Sequence, residues 1–359
     1  MRITTAVLAA TVCLAPMNVR LTALDAAASD TTHVLWRDPG RVEGLDLFWG
    51  PGSPERAPRA PFTFVAEDRT GTKPKIDVTD AAGVKWTMKL ATIEPKGNEV
   101  HAEIAASRLA WARGYFVDEH YFVETGRIVG ATDLRRAADV VGPDGAFKLA
   151  RFERKADGAE HVADWHIEDN RFKGTRELSG AHMLMVLLSS WDMQPQNTSV
   201  VRVPVRTGDD EHRYVLSDLG STFGRMRGGF GPSPSRWNLQ DYADEKIVAG
   251  IVQGRLHLRS SLLSAGPITI PLEHARWFVQ LTARLSDDQI KQAFTASGAS
   301  AEHIDGFRLA FRKRIVELQS ALAKAGCHSD RRRPRHDFAG PVAGQDPSAR
   351  CPSRSSATQ

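Results

Sequence analysis

The chain has 359 residues, room for two domains or one large two-lobed one at ~100–200 residues per domain. Hydrophobic residues make up 42% and charged residues 25%, which excludes a collagenous or fully disordered chain, and three cysteines exclude a disulfide framework. The net charge of +4 divides as +3 on residues 326–359, +1 on residues 1–28 and zero on residues 29–325, so the body lacks the basic face of a nucleic-acid binder.

Met1-Arg2 precedes an apolar stretch from Ile3 to Pro16, and a small-residue region follows at 23–29. That order describes a secretory signal peptide over residues 1–28, cleaved near Ala26–Ala28, and predicts an exported protein, periplasmic or extracellular. The apolar core, about a dozen residues, is too short for a hydrocarbon layer of ~30 Å. Residues 29–61 are rich in Pro and Gly and read as an extended leading segment. Phe62–Val65 predicts a strand. Residues 75–80 and 84–90 predict a hairpin around Ala82-Gly83. Val84, Trp86, Met88 and Leu90 fall on one face, and Lys85, Thr87 and Lys89 on the other.

A helix fits residues 98–113, with Asn98 as cap, Glu99 and Glu103 in its early turns, and an apolar stripe of Ile104, Ala105, Leu109 and Ala112. Residues 115–123 read as a strand interrupted at Asp118-Glu119-His120, which reads as a surface turn, the alternative being a lining of a nucleotide cleft between the lobes. Residues 127–173 show no assignable period. An apolar helix is predicted over 176–190, then strands over 199–205 and 213–216, then a Gly-rich stretch from Gly220 to Gly231. Residues 238–325 read as helical, strongest at 271–284, 286–297 and 301–324. Ser286-x-x-Gln289 matches a capping box. Residues 326–359 read as a disordered basic tail. The order predicts a bilobal α+β fold, with a β-rich N-terminal lobe over 62–123 and a larger helical C-terminal lobe over 124–325.

Four features stand in the order that phosphoryl transfer requires. Lys89 ends a strand, where it can neutralise phosphates. Glu103 lies on the next helix, where it can pair with that lysine. Asp192-x-x-x-x-Asn197 follows a long apolar helix, and Asp218-Leu219-Gly220 follows a strand. Asp192 would orient an attacking hydroxyl, and Asn197 and Asp218 would hold a metal. Lys85 competes with Lys89, and Glu99 with Glu103. Lys89 is preferred as the strand's last charge, and Glu103 as the deeper in the helix. This reading requires Asp192, Asn197 and Asp218 to converge. No Gly-x-Ser-x-Gly and no His-Glu-x-x-His is present, so serine hydrolase and zincin chemistry lack support.

At these residues the chain resembles the protein-kinase-like superfamily, nearest its divergent bacterial branch of HipA-type kinases and, more distantly, phosphatidylinositol kinases. Thr70-Gly71-Thr72-Lys73-Pro74-Lys75 resembles the Gly-x-x-Pro-Lys turn at the nucleotide site. Trp86–Lys89, Trp191–Asn197 and Ser217–Gly220 resemble the lysine strand, the catalytic loop and the metal-binding Asp-Phe-Gly. The resemblance implies a kinase-like fold that transfers phosphoryl from Mg-ATP to a hydroxyl acceptor. It implies ATP contacts at Gly71, Lys75, Lys89 and Glu103, and Mg²⁺ on Asn197 and Asp218. Three departures stand against it. Ser190-Trp191 replaces His-Arg before Asp192, the histidine that follows the aspartate in the HipA-type branch is missing, and no Gly-x-Gly-x-x-Gly precedes Lys89. An exported kinase would also need delivered ATP or another donor. The alternative is an exported, catalytically silent kinase-fold protein that binds a ligand or partner.

Overall fold

The computed structural model describes residues 32–70, 73–92, 98–205, 209–226, 233–259 and 268–330, with side chains to 325. The expected signal peptide, Gly71 and the tail beyond 330 lie outside the described residues.

Alternating side chains build the N-terminal half. The chain runs through β1 (Thr32–Val34), β2 (Phe62–Asp68), β3 (Lys75–Thr79), β4 (Lys85–Leu90), α1 (Asn98–Trp111), β5 (Phe116–Val117), β6 (Glu119–Val129) and β7 (Ala146–Arg154). Strands β2, β3, β4, β7 and β6 form a closed barrel in that order, sealed by a parallel contact that pairs Phe62 with Ile128. The β3–β4 hairpin turns at Gly83, whose φ of +76° suits glycine. Asp80 fastens the turn by accepting from the Ala82 and Val84 amides and the Trp86 indole. Phe62, Ile76, Val78, Trp86, Met88 and Phe152 belong to the barrel's own apolar core. Opposite residues share a face in an antiparallel ladder. The register sets Lys89 against Lys75 on one side and Arg151 on the other, and Thr87 against Glu153. These charged residues line the barrel's outer face. The β-rich region therefore runs to Arg154, past the expected boundary at 123.

The C-terminal half holds β8 (Glu160–Ala163), α2 (Arg176–Leu188), β9 (Thr198–Val203), β10 (Glu211–Leu216), α3 (Leu239–Asp244), β11 (Val248–Val252), β12 (Arg255–Leu258), β13 (Ile268–Pro271), α4 (Leu272–Ala283), α5 (Asp287–Ala296) and α6 (Ala301–Asp330). The fold is α+β, β-rich first and more helical later. A sheet of order β1-β10-β9-β8, with β5 also on β10, forms its middle. Two of its strands come from before the barrel closes, so the leading segment is anchored in the C-terminal half. Gln289 reinforces this by donating to the carbonyls of Val42 (2.7 Å) and Leu45 (2.9 Å).

Helix α1 joins the halves. It packs on β6, β7 and α5 and is buried from Ala102 to Ala110. Its small residues Ala102, Ala105, Ala106 and Ala110 permit close approach on several sides. Helix α2 starts at Thr175, whose hydroxyl accepts from the Leu178 amide, and ends at Ser189 in the left-handed region. Helix α5 carries the expected Ser286–Gln289 capping box.

Three expectations are corrected. Val248–Val252, Arg255–Leu258 and Ile268–Pro271 form an antiparallel three-stranded sheet, not helix. Gln253 and Gly254 both have positive φ, the geometry of a tight two-residue hairpin turn. Asp118, Glu119 and His120 are buried, not a surface turn, because they lie where β6 enters between the barrel and α1. Helix α6 continues through Asp330, so the tail's first residues, expected to be disordered from 326, have helical backbone. Among the described residues, no helix is long and apolar enough to cross a membrane.

Candidate functional site

Lys89 stands at the end of β4 with its side chain 2% exposed. Its ammonium meets three carboxylates: Glu103 at 2.8 Å, Glu99 at 3.2 Å and Asp218 at 3.2 Å. Glu103 and Glu99 are one turn apart on α1, so they share a face. Asp218 arrives from beyond β10. The expected Lys89–Glu103 pair is present. Lys85, its competitor, is exposed at the other end of the strand.

A second cation underlies the pair. Arg151 contacts the other oxygen of Glu103 at 3.0 Å, donates to His120 Nε2 at 2.7 Å and pairs with Glu153. Lys155 bridges Glu153 to Asp118. Glu103, His120 and Glu153 lie close enough together to suggest a metal site. The Arg151 guanidinium already touches all three and supplies the positive charge.

The charges are tuned by burial and by one another. Burial raises the Asp218 carboxyl, but Lys89 and Arg151 outweigh it and hold the pKa at about 2. Burial pushes Glu103 up to about 7 against Arg151 and Lys89. Burial, with Arg151 beside it, lowers His120 to about 3 and keeps it neutral. Ser107 donates its hydroxyl hydrogen to the Glu103 carbonyl, so its oxygen accepts from His120 Nδ1–H. Nε2 is then the acceptor for Arg151, which fixes the tautomer.

This neutral histidine has a measurable consequence. Its folded pKa lies below the unfolded value of about 6.5, so below that pH the unfolded chain gains a proton that the folded chain refuses. Stability attributable to His120 is lost as pH falls from about 6.5 towards 3. His120→Gln retains an acceptor for Arg151 without the titration. It should reduce the slope of unfolding free energy between pH 4 and 6 by about 1.4 kcal/mol per pH unit, one proton's worth. Urea titrations at several pH values would measure it, and an unchanged slope would rule out the neutral buried state.

The remaining predicted residues gather around Asp218 unevenly. The Asn197 carbonyl accepts from the Ser217 and Asp218 amides at 3.2 and 3.1 Å, and its side-chain nitrogen donates to the Asp192 carbonyl at 2.9 Å. The three residues thus meet through the backbone. Asp192 forms no ion pair among the described residues, and its carboxylate is not brought to Lys89. Lys75 adjoins Lys89 across the ladder and helps depress Asp218. Gly71 lies outside the described residues.

The stretch from Ser189 to Asn197 is held from below. Arg314 of α6, buried, donates to the carbonyls of Val186, Leu187 and Tyr242, to the Ser189 hydroxyl and to Glu245. Its guanidinium also lies 3.7 Å from the Tyr242 ring centroid. Trp191 donates to the Ser235 carbonyl and stacks beneath Arg236. Arg151, Arg236 and Arg314 were not singled out from sequence. Arg151 faces outward on the strand beside Lys89, but that strand falls in a stretch without an assignable period.

One hollow opens at Lys89, and a second lies along β4 towards Lys85. A cavity of about 150 Å³ beside Lys89 is lined by Lys73, Thr92, Asn98, Glu99 and Arg236. A cleft of about 640 Å³ runs along the barrel's outer face past Asp77, Lys85, Thr87, Glu153 and Asp157. No protein-family model, curated protein or solved structure matches the chain.

Proposed function

We propose that the chain is a kinase-like phosphotransferase that moves phosphoryl from Mg-ATP to a hydroxyl acceptor. The observation that carries this reading is the pairing of Lys89 with Glu103 and with Asp218, which comes from the other half of the chain. Phosphoryl transfer depends on positioning and charge stabilisation. In this reading Lys89 neutralises the phosphates and Glu103 fixes its rotamer. The side-chain oxygen of Asn197 and the carboxylate of Asp218 hold Mg²⁺, hard ligands for a hard cation. Asp192 orients the acceptor hydroxyl, and Lys75 and Gly71 contact the nucleotide. Arg314 does the scaffolding that His-Arg performs in other kinases. The fold in this reading is bilobal and kinase-like, with the barrel as the smaller lobe.

One observation favours the second reading, a silent kinase-fold binding module. Lys89 is held by three carboxylates, and the cavity at its head is only about 150 Å³. Thermal melts with and without Mg-ATP test the first reading. A nucleotide at 100 times its Kd stabilises the folded state by ~2.7 kcal/mol. A melting temperature indifferent to millimolar Mg-ATP would sink nucleotide binding. Binding without ATP turnover, even with a mixed panel of hydroxyl acceptors, would select the silent module.

A further inference from the structure

Glu99 is placed oddly for a surface helix residue. Its carboxylate is met by three cations from three separate segments: Lys73 at 3.1 Å, Lys89 at 3.2 Å and the Arg236 guanidinium at 2.8 Å. It lies in the first turn of α1, where the helix dipole also favours a negative group. The chain makes room for it. A Cβ on Gly220, two residues beyond Asp218, would lie 2.6 Å from the Glu99 Cγ. The same three cations line the small cavity beside Lys89, together with Asn98.

We infer that Lys73, Lys89 and Arg236 form a binding site for a phosphate group, and that the Glu99 carboxylate sits in it as a displaceable internal placeholder. Three cations around one anionic position at a helix N-terminus is the chemistry that holds phosphate. Of the three carboxylates on Lys89, only Glu99 also holds Lys73 and Arg236, so a phosphate that gathers all three cations takes its place. Glu103 is 2% exposed and tied to Arg151 as well, so it stays. Glu99 is 15% exposed, and two of its cations, Lys73 and Arg236, are partly exposed side chains that can turn from it to an incoming anion. A departing Glu99 moves towards solvent and leaves the cations charged and oriented. The site rests on the phosphoryl-transfer reading only for the identity of the phosphate's carrier, a free ion or a nucleotide's terminal group.

Glu99→Gln keeps the side chain's shape and removes the competing charge. Calorimetric titration with inorganic phosphate, without magnesium or nucleotide, should show affinity at least about tenfold tighter than wild type, equivalent to ~1.4 kcal/mol. Adding Arg236→Gln to that variant should cancel most of the gain. An affinity unchanged or weakened in Glu99→Gln overturns the inference, as does a gain that survives Arg236→Gln. Should Glu99→Gln fail to fold by circular dichroism, Glu99→Asp is the second variant. Its carboxylate is one methylene shorter and withdraws from the three cations, so phosphate should again bind more tightly. If neither variant folds, Glu99 is a fixed structural ion and the inference falls. A parallel titration with ATP separates the sources: tightening with phosphate alone assigns the site to a free ion, and tightening with both assigns it to the nucleotide. Because the phosphate arm needs no metal, its failure is distinct from a failure of Mg-ATP binding.

Discussion

On the phosphoryl-transfer reading, Asp218→Ala is expected to abolish Mg-dependent nucleotide binding, weakening it by ~100-fold or more, while the far-ultraviolet spectrum stays that of the wild type. Even an outer partner of a metal typically costs 10–100-fold when removed, and a direct ligand costs at least as much. The fold should tolerate the change, because Lys89 keeps Glu103 and Glu99 as partners. At 36% exposure the Asp218 side chain is also the most accessible of the three carboxylates. Acid stability should change in a defined window. The folded pKa of about 2 lies below the unfolded value, so the Asp218 contribution is present above about pH 4 and lost as pH falls through 2. The variant should lack that portion of the acid transition. Survival of Mg-dependent binding in Asp218→Ala would end the phosphoryl-transfer reading.

Arg314→Met should have the largest effect on stability, a loss of roughly 3–5 kcal/mol, the range for breaking a buried, paired charge. Five groups lose a donor together, two of them carbonyls in the last turn of α2. Glu245 loses its cation, and the Ser189 hydroxyl loses one of two partners. Arg314→Lys should recover only part of the loss, because an ammonium cannot reproduce the planar fork. Urea midpoints for the two variants decide the matter. A loss below about 1 kcal/mol in Arg314→Met would show that the network is redundant.

Where one physical rule dominated, the sequence could be read. The β3–β4 hairpin follows from clean alternation and Gly83, α2 from its apolar run, and the start of α5 from its capping box. The failures have physical causes. On β7, Arg151 and Glu153 face a buried layer of charge, so the strand presents polar residues on a covered face, and Leu149 at φ +55° interrupts its regularity. The outer half of β6 is exposed and reads as polar loop. The β11–β12 hairpin carries short apolar runs that fit helix as well as strand, and only Gln253-Gly254 marks the turn. At the site, Lys89 and Glu103 could be picked out because each falls in a fixed element, a strand and the helix after it, and Asp218 because it closely follows a strand. Arg151, Arg236 and Arg314 were not, because their partners are remote in sequence and arginine is common on surfaces.

The barrel's apolar core and the main core are separate clusters, and the buried charges Lys89, Glu103, Arg151 and His120 belong to neither, nor does the small apolar cluster of Val100, Ile104 and Ala296. Oil on either side with a charged seam between is a recipe for two cooperative units that open independently. Apolar contact is indifferent to the fine positions of its partners, whereas this seam closes only when opposite charges register. Barrel amides should therefore exchange with solvent through openings that leave the C-terminal half intact. An anion seated at Lys89 would act as a rivet across the seam, so its arrival at one end of β4 would register as slowed exchange in barrel strands that it does not itself contact.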